Sequence, residues 1–272
     1  MGTSASHGGP KSGVSFDPPW LDDIDNPETP ETPDAPAPQK EAPPVPLLAP
    51  PARFRSARQN LGDYIKTGSR DSLRKSLGNY SRTGMGGARN VANRMRHSAR
   101  IASKLYSSFS ALRDGNEPTI SSIISNYRTE NTDVYGMIDA IAGYICGDGG
   151  SLDETSPINS VSDALSDLLD KNPDIDIAAL SDDNVWSLVS SFLGYEAFSK
   201  IQLDIGRGFE AKDVPLGDRI TRLKDMREYL ESEISSQVND IRNELENKQP
   251  SNLHNVMMTA IERTFEVFEV TV

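Results

Sequence analysis

A chain of 272 residues with 36% apolar and 7% aromatic side chains is lean for its length, so part of it should lie outside any packed core. It has no run of 18 apolar residues and no apolar stretch behind its first residues, which excludes a membrane-spanning helix and argues against a secretory signal. Its one cysteine, Cys146, excludes an internal disulfide, and with a net charge of -12 the chain reads as a cytoplasmic protein.

The first 24 residues open as MGTSASHGGPKSGVSFDPPW. Gly2 permits removal of Met1, and the α-amine so exposed has a pKa of about 7.7 to 8.0, which leaves a useful fraction unprotonated at neutral pH. The small residues that follow would thread into a narrow active site, and Met1 to Ser6 also fits the myristoylation pattern. Beyond them, Phe16, Pro18, Pro19 and Trp20 sit in FDPPWLDDI, a docking motif with Trp20 as its anchor. From residue 25 to 51 proline alternates with Glu, Thr, Ala and Asp; 13 of the 18 prolines lie in residues 1–51. Such a stretch buries too little apolar area to offset its chain entropy and is expected to be a disordered, extended linker.

Charge then reverses. Residues 1–51 carry a net -6, residues 52–113 carry 14 basic and 2 acidic side chains for a net +12, and residues 114–272 carry a net -18. A basic element between acidic flanks is suited to a polyanion or to an acidic protein surface. Within it the phrase LGDYIKTG at 61–68 returns as LGNYSRTG at 77–84. Tyr64 and Lys66 recur as Tyr80 and Arg82, which suggests the same side chains offered twice to one partner surface. The plain alternative is two glycine-terminated helical turns docked on the protein's own core. Gly84, Gly86 and Gly87 in GMGGARN then open a helix expected over 88–112, where Val91, Met95, Ser98, Ala102, Leu105, Phe109 and Leu112 follow a 4,3,4,3 spacing. Arg89, Arg96, Arg100 and Lys104 form a second stripe of like charge on it, and free N–H groups at GMGG would face the same way. Phe54, Tyr64, Tyr80 and Tyr106 interleave with the arginines, as stacking platforms for bases or as anchors in a protein groove.

Residues 114–272 read as an acidic, all-α domain, with helices expected at 119–128, 132–146, 158–170, 182–205, 217–247 and 252–269. Ser181 before Asp182 and Asp183 is a strong N-cap. Ile220, Leu223, Met226, Leu230, Ile234, Val238, Ile241 and Leu245 make one apolar stripe for a helical bundle. The whole is therefore a mostly α protein with a proline-rich N-terminal region and a basic helical segment ahead of the bundle.

Chemistry is sparse. His7, His97 and His254 are the three histidines, none paired with Cys or carboxylates at metal-ligand spacing, so no metal is expected. Cys146 has no base in view and reads as structural. The turn CGDGG lacks the strand or helix context of a phosphate loop. No catalytic residue is assigned.

The quoted opening MGTSASHGGP, the PPW that follows, the proline-rich linker and YSRTGMGGARN together resemble the B-subunit family of Qat anti-phage defence systems, most specifically over residues 1–20 and 80–113. The resemblance implies a non-enzymatic component encoded beside a QueC-like protein, an ATPase and a TatD-like nuclease. It implies further that Gly2 matches an acceptor onto which a QueC-like enzyme places a 7-deazaguanine group by an amide bond. The alternative for the basic segment is a nucleic-acid-binding module that senses phage DNA or RNA.

Overall fold

The computed structural model describes residues 52–130, 133–147, 152–209, 213–244, 252–270 and 272. Among them are ten α-helices and no strand: α1 Arg55–Thr67, α2 Arg70–Asn79, α3 Ala88–Arg94, α4 Arg96–Arg113, α5 Pro118–Glu130, α6 Val134–Cys146, α7 Leu152–Lys171, α8 Asp182–Ile205, α9 Leu216–Glu244 and α10 Leu253–Glu269. The chain divides between Arg53 and Phe54, and everything from Phe54 to Val272 is one compact unit.

The unit is arranged around α8. A surface helix carries one apolar stripe, whereas α8 is apolar all round: Val185, Trp186, Val189, Phe192, Leu193, Ile201 and Ile205 are all buried although they point to different sides. It is covered by α9, α7 and α4, and α10 lies across α2, α3, α4 and α9. The Ser181 hydroxyl accepts from the Asn184 N–H at 3.2 Å, with Asp182 and Asp183 on the positive end of the helix dipole, so α8 begins where its cap places it. In α9 the stripe Met226, Leu230, Ile234, Val238 and Ile241 is buried as its spacing predicts.

Several expectations are corrected. Helices α1 to α4, which carry most of the basic segment, pack into the same unit as the acidic helices. Their glycines do not interrupt helix as early as composition suggests. Gly62 lies inside α1 with open space where a side chain would be, and Gly68 ends that helix in the left-handed region at φ 73°. The helix expected over 88–112 is two helices broken at Met95, whose backbone (φ -95°, ψ 12°) leaves the helical region while its side chain stays buried. Ile220 is 57% exposed and Leu216 64%, so the apolar stripe of α9 enters the core one turn later than its sequence indicates. Further along, α7 starts six residues before the expected position and carries Pro157 in its second turn, where the lost N–H costs one intrahelical bond.

Helices α8 and α9 approach closely at Gly194, where an added Cβ would lie 2.8 Å from the Glu231 Cα of α9. Gly194→Ala should therefore push two helix backbones apart and cost about 1–3 kcal/mol. Gly143→Ala in α6, with nothing in reach, should be neutral or stabilising by up to about 1 kcal/mol through helix propensity. Urea unfolding midpoints at unchanged slope measure both.

Candidate functional site

The two copies of the repeated phrase perform matching structural tasks. Leu61 and Leu77 are fully buried, and Thr67 and Thr83 each donate to the carbonyl four residues back, of Asp63 and Asn79, at 2.7 Å. Tyr64 donates from its hydroxyl to the Arg222 carbonyl of α9 at 2.8 Å, and burial, reinforced by Asp225, pushes its phenol up to about 12. Tyr80 is 1% exposed; it stacks on Phe54 at 5.6 Å, sits 6.2 Å from Phe265, and donates to Asp204 Oδ2 of α8 at 2.9 Å. The expectation that these tyrosines face a partner rather than the core is overturned. Each has an apolar body that fills the core and a hydroxyl that finds an acceptor at its edge.

The basic partners of the tyrosines stay near the surface but contact the same chain. Lys66 lies 3.7 Å from Asp213, both exposed, and Arg82 donates to the Val272 carbonyl. The copies differ where the second meets a six-residue π-helix, Tyr80–Met85. Gly84 is pressed against the Phe54 ring with no room for a Cβ, so the left-handed cap passes to Gly86 at φ 79°. Gly87, at φ 120°, sends its N–H to the Ser81 carbonyl at 2.9 Å, and the Asn90 amide covers the Met85 and Gly86 carbonyls. These glycines shape a helix-to-helix turn.

Part of the basic segment meets acidic side chains of this same protein. At the C-terminal end of α8, Asp204 receives Tyr80 through Oδ2 and Arg94 through Oδ1 at 3.2 Å, while its carbonyl accepts from Arg58 at 2.8 Å. At the other end, Asp182 accepts from Tyr106 at 2.8 Å and from Arg242 at 3.0 Å. The Arg242 guanidinium also lies over the Trp186 ring, 5.3 Å from its centroid, and Trp186 meets Tyr106 at 4.6 Å. In the middle, Glu196 is 0% exposed and accepts from Ser98 at 2.6 Å, Ser156 at 2.8 Å and Ser160 at 2.9 Å, which joins α4 and α7 to α8. Ser81 likewise donates to Glu269 at 2.6 Å. Phe54, Tyr64, Tyr80 and Tyr106, offered by the sequence as stacking platforms, are thereby held in internal contacts.

Reactive chemistry has little to work with here. Burial pushes the Cys146 thiol up to about 12, with the Glu196 charge adding to it and Lys104 opposing, so at neutral pH it is a thiol and a poor nucleophile. Among the described residues no group of three or more His, Cys, Asp or Glu is placed to hold a metal ion.

Three arginines of α3 and α4 are not absorbed by the interior. Arg89, Arg96 and Arg100 are exposed; among the described residues Arg89 and Arg100 make no ion pair, and Arg96 reaches only the Asn93 side chain at 3.0 Å. Across from them, at the start of α10, His254 is held below its ordinary pKa first by burial and then by Arg100 and Arg96. Lys104, the next residue in the stripe, turns to the Tyr144 carbonyl at 2.8 Å and that residue's ring at 5.0 Å. Gly2, Phe16, Pro18, Pro19 and Trp20 lie outside the described residues.

Residues 86–268, about two thirds of the chain from Gly86 to Phe268, match the family model described as Qat anti-phage system associated protein QatB. The chain belongs to this family, and so to a component of an anti-phage defence system that works with the other subunits of that system. No curated protein and no solved structure is matched by it.

The placement of Tyr80 has a measurable consequence. Tyr80→Ala should cost about 3–5 kcal/mol through lost burial and the cavity left between Phe54 and Phe265. Tyr80→Phe should cost about 1–2 kcal/mol, since it removes only the donor to Asp204. Thermal and urea unfolding of the two variants test the ranking, which a partner-facing tyrosine would reverse to near zero for both.

Proposed function

We propose that this protein is the non-enzymatic scaffold and conjugation substrate of its anti-phage complex, with Gly2 as the acceptor of a 7-deazaguanine group transferred by a QueC-like subunit. The observation that carries the reading is the chain's own opening: a glycine behind Met1, then Thr3, Ser4, Ala5, Ser6, Gly8 and Gly9. Family membership supports the setting, and the matched residues begin at Gly86, so the acceptor role rests on residues 1–24 themselves.

The chemistry asks for an uncharged amine able to reach an activated acyl carbon. A carboxylate activated with ATP is attacked by the amine nitrogen, the C–N amide bond forms, the activating group departs with the former C–O electron pair, and the nitrogen loses a proton. An α-amine near pKa 7.7 to 8.0 supplies the free base at neutral pH far better than a lysine near 10.4. A first residue without a side chain obstructs the approach least. Lys11 and Lys40 are the only lysines before the basic segment. The folded unit supports a scaffold role, because its buried carboxyl groups accept structural hydrogen bonds and its one thiol is held protonated. The FDPPW stretch around Trp20 is the proposed docking element for the QueC-like subunit, with the ATPase and the TatD-like nuclease as further members of the complex.

Protein co-expressed with the QueC-like subunit should lack Met1 and carry a deazaguanine-type adduct on Gly2. Replacement of Gly2 by a bulky residue that retains Met1 should leave the protein unmodified and the cells undefended. Intact mass with N-terminal peptide fragmentation reads both, and an unmodified Gly2 in a complex that still defends overturns the reading. Trp20→Ala should weaken capture of the QueC-like subunit by about 1–3 kcal/mol in titration calorimetry.

A further inference from the structure

We infer that the exposed face formed by Arg89, Arg96 and Arg100 on α3 and α4, beside His254 of α10, is a docking surface for an acidic, carboxylate-bearing polypeptide segment of a partner protein. The argument starts from how differently the arginines of one segment are used. Arg94 pairs with the Asp204 carboxylate at 3.2 Å, and Arg113 lies 4.0 Å from that of Asp182. Those are arginines the fold neutralises. On α3 and α4, by contrast, three exposed guanidiniums have no carboxylate partner among the described residues: Arg96 and Arg100 lie one turn apart on α4 beside His254, and Arg89 precedes them on α3, across the break at Met95. Arg96 and Arg100 stand one turn apart, about 6 Å along the axis, where like charges at this spacing are mutually unfavourable. An arrangement that raises the energy of the free protein is relieved by an anion lying along it.

His254 reports the same field from the neighbouring helix. Its Nδ1 is buried and meets no partner among the described residues, and the two guanidiniums add to burial in disfavouring its charged form. Arg96 and Arg100 thus lie close enough to bear on His254, although the chain as a whole carries -12.

That contrast selects the occupant. A nucleic acid is read by many phosphate contacts and by aromatic stacking. Here three guanidiniums are offered, the aromatics of the segment are internal, and residues 114–272, at a net -18, would repel a long polyanion. A short acidic peptide needs only local complementarity, and a guanidinium fork fits a carboxylate through two parallel hydrogen bonds. The protein already uses that pairing internally, as Arg263 does with both oxygens of Glu244 at 2.7 and 3.0 Å. This face is independent of the Gly2 reading, and neither fails with the other.

The test uses the full chain with two fluorescent probes, a decaglutamate peptide and a 20-residue oligothymidine, titrated by anisotropy at low salt. The wild type should bind decaglutamate more tightly than the oligonucleotide. Arg89→Gln, Arg96→Gln and Arg100→Gln combined should weaken peptide binding about tenfold or more, while the control pair Arg55→Gln with Arg70→Gln, exposed arginines elsewhere in the segment, should leave it within about twofold. Each tenfold corresponds to about 1.4 kcal/mol. Should the triple variant fail to keep its melting transition, Arg100→Gln alone decides, with a threefold or greater loss expected. Absence of peptide binding, equal loss in the control pair, or tighter binding of the oligonucleotide overturns the proposal; the last of these would return the face to nucleic acid.

Discussion

A fully buried glutamate sets the terms for the rest of this fold. Glu196 sits in the middle of α8 with no exposed surface, and an ionisable group there is strongly unfavourable unless hydrogen bonds replace its water. Three serines supply them, Ser98 from α4 and Ser156 and Ser160 from α7. Hydroxyls have short reach, so the three donors fix the separation of three helices within tenths of an ångström. Small side chains also let the helices approach closely enough for Val161, Leu165 and Leu105 to be fully buried beside them. Polar satisfaction and apolar packing thus impose the same geometry, which is the condition for a unique core.

The same logic extends to both ends of α8 and explains the charge pattern. A +12 segment preceding a -18 bundle looks, as a sequence, like a segment awaiting an external anion. In the folded unit part of that complementarity is internal: Asp204 takes Arg94 together with the Tyr80 hydroxyl, and Asp182 takes the Tyr106 hydroxyl with Arg113 at 4.0 Å. Several of these contacts are partly buried, where a charge-assisted hydrogen bond is worth more than a surface ion pair. Charge segregation along the chain is here a device for bringing residues far apart in sequence together, Arg94 and Asp204 being 110 residues apart.

How much of this was legible depended on whether a feature is local. The start of α8 follows from the Ser181 cap, readable in place, and the expected span 182–205 is the observed one, although the chain runs on through Gly206 as a 3-10 turn. The stripe of α9 is likewise a matter of spacing, yet where it enters the core depends on what lies opposite, so Ile220 was misplaced. The break at Met95 has no proline or glycine to announce it; Met95 itself is buried in the core, and the 4,3,4,3 spacing runs unbroken through it. Tyr64 and Tyr80 were ambiguous for a further reason. A tyrosine beside arginines has the same composition whether its ring lies on a partner or beneath the arginines, and only the position of Arg222 and Asp204 decides. For the candidate site, the arginine stripe was visible as spacing, whereas which of its members remain unneutralised was not.

The folded unit and the N-terminal residues place different demands on physical chemistry. Docking at Arg89, Arg96 and Arg100 depends on a rigid helix surface, since guanidinium forks gain their advantage over a flexible ammonium when their spacing is fixed in advance. The proposed acylation at Gly2 would depend on a free amine and a small first residue, which are properties of a few residues of sequence. On the proposed reading, in which the protein is both held by partners and modified by one of them, the two demands fall on different parts of the chain. Recognition can then be strong without burying the reacting nitrogen, and the acceptor can enter a deep pocket without unfolding a core whose central helix is closed by buried hydrogen bonds.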